Sequence, residues 1–196
     1  MSAASANIDT TALSLGEVVV TGKGAKQIPI LSKHGEFVTW TPQDALAVLF
    51  EPSAYQQPDA TRVNLCLSAT PAVARSLSAF DEWCINTLAA ESKRLFGTAL
   101  SKDDVRGRFQ PMLRTYEATG SQSLRVKVNM TGRSRLRIWD MTRNPIAAPP
   151  SWTQCSARCK IRLKSIWLMG KNNEMGVVAE ATDIMLDDAE AECPFA

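Results

Sequence analysis

This 196-residue chain holds a single histidine, His34, and five cysteines at irregular spacing: Cys66, Cys84, Cys155, Cys159 and Cys193. One imidazole cannot build a histidine-rich metal centre. As a catalytic base, His34 has no acidic orienter nearby in its Lys-His-Gly turn. Cys155 and Cys159 form a lone CxxxC pair, which an extended strand would hold about 13 Å apart, so no zinc site is expected. An odd number of cysteines and an N-terminus with neither a charged nor an apolar leader segment read as a reduced, intracellular protein. No apolar run approaches the roughly 20 residues of a membrane helix, so no membrane association is expected. Gly22-Lys-Gly24 is too short for a phosphate loop. Asp103 and Asp104 are explained as helix N-terminal charge, and no spaced acidic pair in the basic region could hold Mg²⁺. The chain is therefore expected to be non-catalytic and free of cofactors.

What the sequence does hold is strongly segregated charge. Residues 1–92 carry five basic and nine acidic side chains, a balance of −4. Residues 93–171 carry seventeen basic and four acidic, or +13, and residues 172–196 carry seven acidic and none basic. The middle block is suited to a polyanion and the end resembles one.

Hydrophobic periodicity organises the chain into strands, a helix, and more strands. Short strands are expected at Glu17 to Thr21, Gln27 to Leu31, with Pro29 marking an edge, and Glu36 to Trp40. Asp44 to Phe50 is a strand or a helical turn, and Arg62 to Ser68 alternates cleanly as a strand. Thr70-Pro71 starts one long helix, with apolar residues at helical spacing up to Gly97. A short helix begins at the Ser101 cap and runs towards Phe109. Strands follow at Leu124 to Met130, Leu136 to Trp139, Ala157 to Met169 and Gly176 to Ile184. The expected fold is α+β, mainly β: an OB-like Greek-key β-barrel with one long inserted helix. The expected divisions are a disordered segment 1–14, one domain over 15–185 and a disordered acidic tail over 186–196.

The candidate binding residues follow from strand alternation. In Leu124-Arg125-Val126-Lys127-Val128 and Cys159-Lys160-Ile161-Arg162-Leu163-Lys164, every second residue is cationic, so pleating places the cations on one face. Arg133, Arg135, Arg137, Arg143 and Arg158 extend that surface, and such a row can track a phosphate backbone. Single strands also need aromatic faces on which bases stack, each worth about 1–3 kcal/mol. Trp139 shares the phase of Arg135 and Arg137 and is the leading platform. Trp167 follows Ile161 and Leu163 on the apolar phase and is expected in the core. Trp152 is either a stacking residue or a lid over the core, and Phe109 and Tyr116 stay open. Asp187, Asp188, Glu190, Glu192 and Phe195 make a tail whose carboxylates can compete with phosphates and whose Phe can dock on a partner.

Several segments together resemble the single-stranded DNA-binding proteins of phages and large DNA viruses. They are Thr41-Pro42 leading into Phe50 to Tyr55, the strand Arg62 to Ser68, Glu91 to Gly97 with Leu100-Ser101, Leu124 to Val128, and Ile161 to Trp167. The resemblance spans roughly residues 40 to 186. It implies an OB-fold with a helix between strands, binding of single-stranded DNA in replication, recombination or repair, and a polymerase, primase or helicase as partner. It implies action at the site of DNA replication, in a viral setting in the host cytoplasm or nucleus, and a homo-oligomer is compatible with it. Asp187 to Phe195 resembles the tail tip of bacterial single-stranded DNA-binding proteins, although here Ala196 follows the Phe. Ser165 stands where a Gly is expected, and Lys171 to Gly176 is less basic than the turn of that group. Single-stranded RNA binding and a replication or assembly scaffold are the alternative readings.

Overall fold

The structure is a computed structural model that describes residues 7–22, 24–54, 57, 60–153, 155–170 and 174–188. In chain order the strands before the helical region are β1 (Leu13–Leu15), β2 (Val19–Val20), β3 (Lys26–Ser32), β4 (Val38–Trp40), β5 (Leu46–Ser53) and β6 (Arg62–Ser68). Three helices follow: α1 (Pro71–Ala90), α2 (Ser92–Phe96) and α3 (Lys102–Arg106). The remaining strands are β7 (Phe109–Gln110), β8 (Leu113–Thr115), β9 (Gln122–Asn129), β10 (Arg137–Trp139), β11 (Cys155–Met169) and β12 (Glu174–Asp188). The protein is thus mainly β with few helices. No helix among the described residues is long and apolar enough to cross a membrane.

The start of α1 follows from local chemistry. The Thr70 hydroxyl accepts a hydrogen bond from the Val73 amide (3.3 Å) and donates to Asp44 (2.6 Å), while Pro71 fills the first turn. Val73, Leu77, Phe80, Cys84 and Leu88 form its buried stripe. The expected single helix to Gly97 is in fact broken at Glu91, whose ψ of 7° leaves the helical range. There the Ser92 hydroxyl donates to the Ala89 carbonyl, a local bond that competes with the helical ladder. Ser101 and Asp104 form a reciprocal capping box at α3, which ends at Arg106, before the expected Phe109.

Five strands pair in a closed circuit: β5 with β6, β6 with β9, β9 with β12, β12 with β11, and β11 back to β5. The β9–β12 junction is parallel and the other four are antiparallel. Inward residues alternate along each strand: Val63, Leu65 and Leu67 on β6, Leu124, Val126 and Val128 on β9, and Ile161 and Leu163 on β11. These pack with the α1 stripe in one hydrophobic cluster. Each buried side chain of this size contributes about 1.5–3 kcal/mol against exposure.

Three expectations change. Pro29 does not lie on an edge, because β3 is flanked by β11 on one side and by β1 and β2 on the other. Its carbonyl accepts from the Gly16 amide at the gap between β1 and β2, so its missing N–H falls where no ladder bond is needed. Residues 8–14 belong to the fold: the Ile8 amide donates to the Ser76 hydroxyl, and β1 pairs with β3. Ile8 and Leu13 pack against the core, and these few apolar anchors outweigh the polar composition around them. At the other end β12 continues to Asp188, past the expected Ile184, because β11 offers pairing positions back to Cys155 and Leu186 is buried.

Candidate nucleic-acid interface

The outer face of the circuit is set by the same alternation that builds the core. On β9, Arg125 is exposed and Lys127 half-buried between inward Leu124, Val126 and Val128. Register then defines one row across five strands: Asn64 on β6, Lys127 on β9, Glu180 on β12, Arg162 on β11 and Thr39 on β4. Strand neighbours lie about 4.8 Å apart, so these positions form a continuous band.

Strand β11 does not keep one phase. Its register with β12 slips between Lys160 and Ile161 and again between Leu163 and Ser165. Across the second slip the buried set changes from Ile161, Leu163 and Ser165 to Ile166 and Leu168. Trp167 is therefore turned to the outer side with Arg162 and Lys164 and is half-buried, contrary to the core position expected from strict alternation. Its indole lies on Gly176, its register partner on β12.

Trp167 forms one wall of a groove of about 250 Å³, lined also by Asn64, Gln110, Met112, Arg114, Arg125 and Lys127. Arg114, Arg125 and Lys127 have no ion pair among the described residues. Burial lowers the pKa of the Lys127 ammonium, and the neighbouring Arg62 and Arg125 lower it further. A partly desolvated lysine and two exposed arginines beside an aromatic face are chemically suited to an anion carrying a flat group.

Carboxylates from β12 temper the rest of this face, a feature that the carboxylate-free sequence of β9 and β11 conceals. Glu180 is buried and meets Lys164 (3.4 Å), Arg62 (3.8 Å) and the Asn129 amide. Asp183 meets Arg137 (2.7 Å) and accepts from the Trp139 indole N–H (3.2 Å). Burial pushes the Asp183 pKa up, but hydrogen bonds from Arg137, Thr182 and Trp139 outweigh it and hold the carboxyl below its usual range. Half-buried Trp139 and exposed Arg137 are thus on the expected face but engaged with a carboxylate.

The other predicted residues are spread around this face. Arg133 and Arg135 are exposed in the loop before β10, and Arg143 occupies a turn at a φ of 67°. Arg158 is exposed on β11, and half-buried Lys160 pairs in register with Asp183. Trp152 resolves to the core role, at 4% exposure. Its loop is fixed by Glu51, which accepts from the Ser151 hydroxyl (2.9 Å) and the Trp152 and Thr153 amides. Of the two residues left open, Phe109 is buried and Tyr116 exposed.

Asp187 pairs with Ser156 at the end of β12. Asp188 is the last described residue of that strand, while Glu190, Glu192 and Phe195 lie outside the described residues. No group of three His, Cys, Asp or Glu able to hold a metal occurs among the described residues. Cys155 and Cys159 both face the core, where burial pushes the Cys159 thiol up to about 12.

Sequence reasoning did not identify Arg62, Asn64, Arg114, Trp167 or Glu180 as part of the site. The single readable signal was Gly176, a residue without a side chain in the strand that returns past Trp167.

No family model matches the chain, and no curated protein matches it in sequence. Solved structures similar to it are phage single-stranded DNA-binding proteins at low identity. That of bacteriophage Enc34, in complex with single-stranded DNA, has a TM-score of 0.44 and 11% identity, covering 90% of this chain and 95% of that chain. Gp2.5 of bacteriophage T7, a single-stranded DNA-binding protein, has a TM-score of 0.47 and 15% identity, covering 78% of this chain and 87% of that chain.

Proposed function

We propose that this protein binds single-stranded DNA with little sequence preference, as a non-catalytic factor in viral DNA replication, recombination or repair. The observation that carries this reading is the groove lined jointly by Trp167 and by Arg114, Arg125 and Lys127, three cations with no ion pair among the described residues. Phosphates meet the cations and a base stacks on the indole, a combination that needs no base-edge reading and tolerates any sequence. Trp167 replaces Trp139 as the leading platform, because the Trp139 N–H and Arg137 are both held by Asp183. Arg133, Arg135, Arg143, Arg158, Lys160, Arg162 and Lys164 extend the phosphate track on either side.

In this reading the closed circuit is an OB-type barrel. Numbering its strands by chain position gives the neighbour order 1-2-3-5-4 closing on 1, a five-stranded Greek key. The acidic residues from Asp187 onward compete with phosphates for the basic face and recruit a replication partner. Competition between DNA and RNA oligomers of matched sequence separates this reading from single-stranded RNA binding. Titration with oligothymidine tests the proposal: Trp167→Ala should lose most of the fluorescence quenching and about 5- to 150-fold in affinity. Equal quenching in the variant and the parent would refute it.

A further inference from the structure

We propose that Phe37 is a second base-stacking platform, and that a single strand runs along the outer side of β11 from Trp167 to Phe37 over Lys164 and Arg162. This rests on the function proposed above and extends it to a site on β4 and the turn before it.

Phe37 is 58% exposed, in the turn that leads from β3 into β4, so it contributes little to the core. Isolated exposed apolar residues are common and mean little by themselves. Two features single this one out. The guanidinium carbon of Arg162 lies over the ring, 5.1 Å from its centroid. Arg162 lies on the same register row as Lys127, so a cation and an aromatic face are brought together here as they are at Trp167. The ring also borders a second cavity, of about 310 Å³, shared with Thr39 and Ser32, which leaves room for a base at its edge.

Register fixes the spacing of the two platforms. Strand β4 pairs Thr39 with Arg162 and Val38 with Leu163, so Phe37 comes level with Lys164. Trp167 is three residues further along β11, about 10 Å at the strand rise. That separation is about three times the rise per stacked base, so a strand of several nucleotides can reach both rings at once. Arg162 and Lys164, the latter bridged to Glu180 at 3.4 Å, lie along the same stretch.

The experiment measures affinity for oligothymidines of increasing length with the parent protein, Phe37→Ala and Phe37→Trp. The shortest oligomers that bind should seat at Trp167 and show no difference between the parent and F37A. Oligomers long enough to span both rings should bind F37A about 5- to 150-fold more weakly than the parent. F37W should restore that loss, and in a Trp167→Phe background its emission should be quenched by long oligomers. These signals also separate stacking from any folding defect in F37A. Parent-like binding by F37A at every length, or no quenching of the introduced Trp, overturns the second platform while leaving the Trp167 site intact. No binding by the parent at any length overturns both.

Discussion

Gly176 lies directly against the indole of Trp167: a Cβ built on it would come within 2.9 Å of the ring carbon Cζ2. The pair faces across the β11–β12 hairpin, and the absent side chain lets the ring lie on the strand. Gly176→Ala should tilt the indole off the sheet and weaken oligothymidine binding about 5- to 50-fold, with far-ultraviolet circular dichroism unchanged. Combining it with Trp167→Ala should add little further loss, which a double-mutant cycle reads directly. Fully additive losses would mean that Gly176 acts elsewhere.

How much of this was legible in the sequence depends on whether a strand keeps its phase. On β6 and β9 it does, and Arg125 and Lys127 fall on the outer side of β9 as simple alternation requires. On β11 one extra residue at the slip between Leu163 and Ser165 leaves Ser165 and Ile166 both buried and reverses the phase beyond them, so the aromatic expected in the core becomes the wall of the groove. A bulge is set by pairing with a distant strand and leaves no local signature. Glu180 and Asp183 were hidden for a related reason: their proximity to Lys164 and Arg137 comes from register, not from sequence neighbourhood. Trp152 could not be assigned because its anchor, Glu51, lies about a hundred residues earlier.

Asp81 on α1 is a buried carboxyl that accepts from the Met112 amide (3.0 Å), while its Oδ1 has no partner. Burial raises its pKa from 3.8 to about 7, against the smaller opposing effect of the Met112 bond. A raised carboxyl pKa means that the folded state favours the proton. The contribution is complete below pH 3.8 and is lost as pH rises towards and through 7. Asp81→Asn keeps an acceptor without the charge, so it should raise the melting temperature at pH 8 by several degrees and leave it nearly unchanged at pH 4. Equal effects at the two values would show that Asp81 carries no such burial penalty.

Glu51 ties the Pro-rich loop before β11 to β5. Burial alone would raise its pKa, but the Ser151, Trp152 and Thr153 hydrogen bonds dominate and lower it. A depressed pKa gives stability that is present above the usual glutamate value and is lost as pH falls through the folded one. Glu51→Ala should therefore release the loop at neutral pH, red-shift the emission of Trp152 and expose residues 145–153 to proteolysis. A parent-like spectrum and digestion pattern would show that core packing alone holds Trp152.

The central claim, that the groove cations and an indole together hold a single strand, is tested most directly by the salt dependence of oligothymidine affinity in the parent and in Arg125→Ala/Lys127→Ala. For single strands, log K falls by about 0.7 per phosphate contact for each tenfold rise in salt. Removing two contacts should make the slope shallower by about 1.4, with Trp167 quenching at saturation retained. Identical slopes in the two proteins, or a parent affinity that does not change with salt, would contradict the account.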